Sequence, residues 1–242
     1  MERKLGDWAG NIVALVIVIV VNALANVLRF GGQTTGAVSD KYHSLFTPAP
    51  FTFSVWSPIY LGLALFVVFQ SMPSQRRNMA LAGISNWFKI GCAANALWMF
   101  VWHLEWIMVA LLLMIVLLVS LVAIYRRIGD QGWQVRWPFS LYLGWISVAT
   151  IANASAMQSA LAWNNLGMTE ISWTLLKLAI AGAVTAVVVL RKSDIVYGLV
   201  VAWAAFGIAA GQAAIPAVAG AATLLLYIIL ALAIYEFAAR WR

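Results

Sequence analysis

Four asparagines and three tryptophans stand inside apolar stretches of this chain, at spacings that place them on shared helix faces. Asn22 and Asn26 are four residues apart, Asn95, Trp98 and Trp102 follow at three and four, and Trp145 precedes Asn153 by eight. Residues so spaced lie on one side of an α-helix. An amide surrounded by hydrocarbon needs a hydrogen-bond partner, so these asparagines point into a helix bundle. There they either bind helix to helix or, with the indole rings beside them, line a pocket in which ring faces supply apolar area and amides orient a ligand. Tryptophans near segment ends (Trp8, Trp106, Trp133, Trp137, Trp173 and Trp241) read instead as interfacial anchors.

Charged residues are rarer. Lys89 stands nine residues into an apolar segment, about 13 Å along a helix that rises 1.5 Å per residue. Its ammonium either snorkels outward or meets a ligand or ion. Lys177, one turn inside its segment, reads as snorkelling. His103 and Glu105 occupy a tight turn, as a local pair or a rim contact, and two residues do not make a metal site. The sequence holds no P-loop, HExxH, serine elbow or dinucleotide fingerprint. No paired carboxylates fall within the apolar segments, which argues against proton-coupled transport.

The elements that must carry these residues follow from composition. The 242 residues are 64% hydrophobic and 10% charged, against about a quarter charged in soluble domains, so the chain reads as an all-α integral membrane protein. The apolar runs lack strand alternation and are too long for barrel strands. Hydropathy predicts eight spans, at 9–28, 53–71, 80–102, 106–125, 138–162, 173–190, 195–212 and 219–238. Arg3 and Lys4 followed by the run IVALVIVIVV and Ala23-Leu24-Ala25 have the look of a cleaved signal. The apolar stretch nevertheless continues from Trp8 to Leu28, long enough to span. The lone cysteine, Cys92, forms no internal disulfide and is expected in the core.

The net charge of +7 would suggest nucleic acid in a soluble protein; here it reports on topology, and no nucleic-acid partner is expected. With the N-terminus cytoplasmic, eleven of the fifteen basic residues fall inside: Arg3, Lys4, Arg76, Arg77, Arg126, Arg127, Arg136, Arg191, Lys192, Arg240 and Arg242. This is the expected cytoplasmic excess of Lys and Arg. The C-terminus is then cytoplasmic as well. Gly207 and Gly211 form a GxxxG that favours close packing within the chain or between subunits.

One stretch joins the polar and aromatic themes: TPAPFTFSVWSPIY, residues 47–60. Prolines there restrict the chain where it lies outside lipid, and Pro58 falls in the first turns of the following helix, where a missing donor costs least. Trp56 and Tyr60 are one turn apart on a common face.

With these residues in view, the first five predicted spans resemble the translocator protein family, also called tryptophan-rich sensory proteins or peripheral benzodiazepine receptors. The likeness rests on Trp56-Ser57-Pro58-Ile59-Tyr60 opening the second span, Asn95 with Trp98 in the third, and Trp145 with Asn153 in the fifth. GGQTTG (31–36) followed by FTPAPFTFSVW is similar to a longer bacterial branch. It covers residues 9–163.

The resemblance implies a five-helix bundle over residues 1–163, with three additional spans over 164–242, often dimeric, in a bacterial or archaeal plasma membrane. It implies a pocket for tetrapyrroles such as porphyrin or heme, for sterols or for lipid, closed by the loop 29–52, with no cofactor required. The ligand set would be Phe51, Phe53, Trp56, Tyr60, Lys89, Asn95, Trp98, Trp145, Ala149 and Asn153, with Lys89 able to face a porphyrin carboxylate. Phe51 and Phe53 depart from the tryptophan and proline typical of the family. The leading functional expectation is a membrane receptor or sensor for a planar hydrophobic ligand. A small-molecule transporter and a porphyrin-degrading membrane enzyme are the alternatives, and a purely structural membrane protein is the plainest one.

Overall fold

The computed structural model describes residues 2–129 and 131–240. Trp241 and Arg242, read above as an anchor and an inside charge, lie outside the described residues. Among the described residues the chain forms nine α-helices: α1 (Leu5–Leu28), α2 (Thr35–Lys41), α3 (Trp56–Ser71), α4 (Met79–His103), α5 (Ile107–Ile128), α6 (Trp133–Ala160), α7 (Glu170–Lys192), α8 (Ile195–Gly211) and α9 (Pro216–Ala239).

These helices are apolar almost all round, so burial and not polarity reveals which side packs. In α1 the buried residues are Asn11, Leu15, Val18, Asn22 and Ala25. In α7 they are Thr174, Leu178, Ala181, Thr185 and Val189. Both sets repeat every three to four residues, the period of one helix face. The opposite face of α1 exposes Val13, Val16, Ile17 and Val20, a surface suited to lipid and not to water. Polar caps start two helices: Thr169 accepts from the Ser172 amide at α7, and Asp194 accepts from the Tyr197 amide at α8.

The chain divides into two compact units, and the boundary falls inside α6. One comprises residues 1–38 and 56–143; the other comprises residues 39–55 and 144–242. In the first, α4 packs along α5 and α1, and α1 also meets α3. Its core includes Phe66, whose ring lies 4.8 Å from Phe139 and 5.5 Å from Phe88, together with the buried Cys92. In the second unit, α8 packs on α9, and α7 meets both. Its small-residue core includes Ala202, Ala204, Ala205 and Ala222.

The expectation of eight spans in a five-plus-three arrangement is corrected. Six segments are long and apolar enough to cross a membrane: Leu5–Leu28, Pro50–Ser71, Ile107–Ile128, Trp133–Ala160, Glu170–Lys192 and Pro216–Ala239. The shortfall has physical causes. Helix α8 has 17 residues, about 26 Å at 1.5 Å each, short of the roughly 30 Å hydrocarbon thickness. Helix α4 has 25 residues, but Ser85, Asn86, Lys89, Asn95 and His103 interrupt its apolar character. Helix α2 arises in a connection that hydropathy reads only as a loop. The protein is a multi-pass integral membrane protein.

Candidate functional site

In the first unit the predicted aromatic and amide residues converge. The rings of Trp56 and Tyr60, one turn apart in α3, stack at 5.5 Å with 20° between planes. Tyr142 of α6 presents its edge to Trp56 at 6.0 Å. The Tyr142 hydroxyl accepts a 2.6 Å hydrogen bond from Asn95 Nδ2, and Asn95 Oδ1 accepts from Asn22 Nδ2 at 3.0 Å. Asn22 Nδ2 also donates to the Val18 carbonyl of its own helix. Three helices are thereby joined through one buried amide, Asn95, which is 1% exposed. The buried Tyr60 hydroxyl sits beside the same amide and has no hydrogen-bond partner of good geometry. Trp98 and Trp102 continue the aromatic face of α4, stacked at 5.4 Å.

The segment Gly31–Thr35 closes over the C-terminal end of α4. Gln33 Nε2 donates to Glu105 Oε1 at 2.9 Å and to the His103 carbonyl at 3.3 Å. Trp102 Nε1 donates to the Thr35 carbonyl. His103 is buried, with Nδ1 2.7 Å from the Met99 carbonyl and Nε2 3.5 Å from Thr35 Oγ1. The Met99 carbonyl accepts from Nδ1 and so holds the ring in place. Gly31 has φ of +69°, and a Cβ there would stand 2.6 Å from the His103 carbonyl oxygen. Gln33 thus ties the His103 carbonyl and the Glu105 carboxylate into a local latch, an arrangement that the spacing of His103 and Glu105 does not predict.

Lys89 points the other way. Its ammonium donates to the Gly6 carbonyl at 3.3 Å, near the start of α1. A polar network lies on the same helix end. Arg3 donates from Nη1 to the Gln70 carbonyl and from Nη2 to Gln70 Oε1, which also accepts from Asn11 Nδ2. Ser85 Oγ donates to the Asp7 carbonyl and meets Asn11 Oδ1. Burial lowers the Arg3 pKa from its ordinary value, and nearby Asp7 works in the opposite direction. Sequence spacing does not single out Gln70 or Asn11; a polar residue near the end of each apolar run is the only signal they give.

In the second unit the proline-rich segment is seated on the GxxxG of α8. The Ala49 amide donates to the Gly207 carbonyl at 2.9 Å. The Thr52 side chain lies against Gly207, and a Cβ on Gly211 would stand 2.8 Å from the Ala49 nitrogen. Trp203 Nε1 donates to the Thr52 carbonyl, and Gln212 Nε2 donates to the Thr47 carbonyl. Phe51 packs its ring 5.5 Å from both Trp203 and Phe206. Phe53 meets Trp145 edge-on at 5.9 Å. Asn153 Nδ2 donates to the Ala149 carbonyl one turn back. The glycines therefore admit close approach of a proline-containing backbone, whose Ala49 amide donates to α8 and whose residues Pro50–Val55 form a 3-10 helix.

The second unit also contains a polar cleft of about 190 Å³ lined by residues of α6, α7 and the segment before α3, among them Ser155, Gln158, Trp163, Glu170, Trp173 and Lys177. Lys177 does not simply snorkel: Nζ donates to Ser155 Oγ at 2.8 Å and to Gln158 Oε1 at 2.6 Å. Ser155 and Gln158 escape a sequence reading because each looks like an isolated polar residue near the end of a span. Their spacing of three, on one helix face, is the signal that could find them. No group of three or more His, Cys, Asp or Glu suited to a metal occurs among the described residues.

Comparison with known proteins adds one finding. A family model described as TSPO-like protein matches residues 7–235. The match bears out the resemblance read from the three motifs and extends it beyond residue 163 into the C-terminal helices. No curated protein and no solved structure gives a significant match.

Proposed function

The chain belongs to the TSPO-like protein family, and from that premise we propose that it is a membrane receptor for a planar hydrophobic ligand of the porphyrin class. The observation that carries this reading is the cluster formed by Trp56, Tyr60, Asn95 and Tyr142. Stacked ring faces stand next to an amide that hydrogen-bonds across three helices. Flat aromatic area binds a flat apolar ligand, and a few fixed polar groups orient it. Trp98 extends the aromatic face of the same helix as Asn95.

The proposed topology puts both termini in the cytoplasm. Arg3 and Lys4 flank the first span and Arg240 flanks the last, and the cytoplasmic preference of basic residues supports that placement.

Titration of the detergent-purified protein with protoporphyrin, followed by tryptophan quenching, tests the ligand class. Saturable quenching is expected, with at least severalfold weaker binding in Trp56→Phe and Trp98→Phe. Binding unchanged in both variants would overturn the reading.

A further inference from the structure

The cleft around Lys177 holds an ammonium that no carboxylate of the described residues contacts directly, although Glu170 lines the same cleft. Lys177 lies inside a helix long and apolar enough to span a membrane, where an ammonium is costly unless it is neutralised or solvated. Two neutral oxygens hold it, Ser155 Oγ and Gln158 Oε1. The Ser155 hydroxyl donates to the Ile151 carbonyl, so its lone pair is turned toward the ammonium. Ser155 is only 1% exposed, which fixes that direction. Among the described residues, no carboxylate lies within ion-pair distance of Lys177. Two of its three N–H groups are used, leaving one for a ligand.

The walls define what accompanies the charge. Trp163 and Trp173 lie 5.3 Å apart with planes tilted by 46°. Trp173 is held by a 2.6 Å hydrogen bond from Nε1 to the Asn165 carbonyl. The connection carrying that carbonyl has positive φ at Ala162, Asn165 and Leu166, three non-glycine residues in a conformation that costs free energy and persists only where the surroundings enforce it. Glu170 also lines the cleft and is engaged by the Leu45 amide at 3.1 Å. Its carboxylate disfavours a second negative charge in the ligand. A volume of about 190 Å³ suits a single ring or a short chain, far smaller than a porphyrin.

We propose that this cleft is a binding site for a small monoanion with an apolar body, its acidic oxygens on Lys177 and its body against Trp163 and Trp173. The anionic oxygens belong either to a free carboxylic acid or to the phosphodiester of a lipid headgroup. The site is independent of the porphyrin reading, since it uses none of the same residues.

The probe is 4-fluorobenzoate, titrated into the full chain in detergent and followed by fluorine NMR, with 4-fluorobenzyl alcohol as its uncharged counterpart. Saturable binding of the acid, at least tenfold tighter than the alcohol, is expected in the wild type. Lys177→Met should reduce acid binding at least tenfold while leaving the weak alcohol binding in place. Lys177→Arg should retain most of it. Equal binding of acid and alcohol to the wild type would overturn the proposal without reliance on any variant, as would undiminished acid binding by a folded Lys177→Met protein. Nanodiscs distinguish the source of the anion. Loss of acid binding on adding phosphatidylglycerol to phosphatidylcholine assigns the site to a lipid headgroup, and unchanged binding assigns it to a free acid; both uphold the anion site.

Discussion

The side chain of Thr52 occupies the space that a Cβ on Gly207 would need, with its Cγ2 atom 2.8 Å from that position and its hydroxyl closer still. The contact joins a proline-containing 3-10 helix, Pro50–Val55, to an α-helix, so the GxxxG of α8 serves the approach of an unusual pair. Gly207→Ala should therefore destabilise the protein by about 1–3 kcal/mol, the usual cost of overpacking. Thr52→Ala in the same chain should restore part of the loss, because it removes both the hydroxyl and the methyl group. Unfolding by SDS titration in mixed micelles, monitored by circular dichroism, reads both effects. Strictly additive losses would show that the two side chains do not compete for one space.

Thr52 permits a second and opposite test. Its hydroxyl is buried and has no hydrogen-bond partner among the described residues. A buried polar group without a partner costs about 1–3 kcal/mol relative to an apolar group of the same shape. Thr52→Val keeps the branched shape and removes that cost, so it should be neutral or stabilising in the same titration. A loss of more than about 1 kcal/mol would mean that the hydroxyl is satisfied after all.

How much of this is legible in the sequence differs from residue to residue. The Trp56–Tyr60 stack can be read because a spacing of four in a helix fixes geometry without help from the rest of the fold. Asn22 and Asn95 can be read as inward-facing amides, since hydrocarbon forbids the alternative. Their mutual hydrogen bond cannot, because pairing across helices depends on axial offset. Gly207 and Gly211 announce a close approach but not its partner; an irregular, proline-rich segment and an α-helix satisfy the same small-residue pattern. Lys177 departs from its expected role for a related reason. Distance from a helix end predicts snorkelling, yet Ser155 and Gln158 on α6 provide a nearer set of oxygens. The number of spans fails on α4 and α8, where average hydropathy conceals the polar residues of one and the shortness of the other.

The Asn22–Asn95–Tyr142 chain of hydrogen bonds makes a coupled prediction. Tyr142→Phe removes one hydrogen bond and should cost about 0.5–1.5 kcal/mol. Asn95→Ala removes two hydrogen bonds, one to the Asn22 amide, which keeps the Val18 carbonyl, and one to the Tyr142 hydroxyl, and should cost more, about 2–4 kcal/mol. Because the Asn95–Tyr142 hydrogen bond is lost in either variant, the double variant should be less destabilised than the sum. A double-mutant cycle from SDS unfolding measures that coupling. Additivity within about 0.5 kcal/mol would show that Asn95 and Tyr142 act independently.

The Arg3 network predicts an unusual sensitivity at the N-terminus. Gln70 Oε1 accepts from both Arg3 and Asn11, so Gln70→Leu takes one acceptor from the guanidinium, which keeps the Gln70 backbone carbonyl, and strands the Asn11 amide. Hydrogen bonds to charged groups contribute about 1.5–3 kcal/mol each, and the predicted loss is of that order or larger. Gln70→Glu keeps an acceptor and adds a counter-charge to Arg3, so it should be tolerated far better at neutral pH. Equal losses for the two variants, read by the same SDS titration, would remove Gln70 from the role of acceptor.

Gly31 supplies the test of the latch over α4. Its φ is +69°, and a Cβ in ideal geometry would stand 2.6 Å from the His103 carbonyl oxygen, which leaves no room for a side chain in the present conformation. Gly31→Ala therefore forces the segment away from His103 and weakens the hydrogen bonds that Gln33 makes to the His103 carbonyl and to Glu105. Limited proteolysis should cut within residues 29–36 at least severalfold faster in this variant. Gly36→Ala, where a Cβ would meet only Thr34 Oγ1 at 4.0 Å, should cut at the wild-type rate. Faster cleavage in both variants would mean that the segment responds to any added methyl group, and the close contact with His103 would lose its standing as the cause.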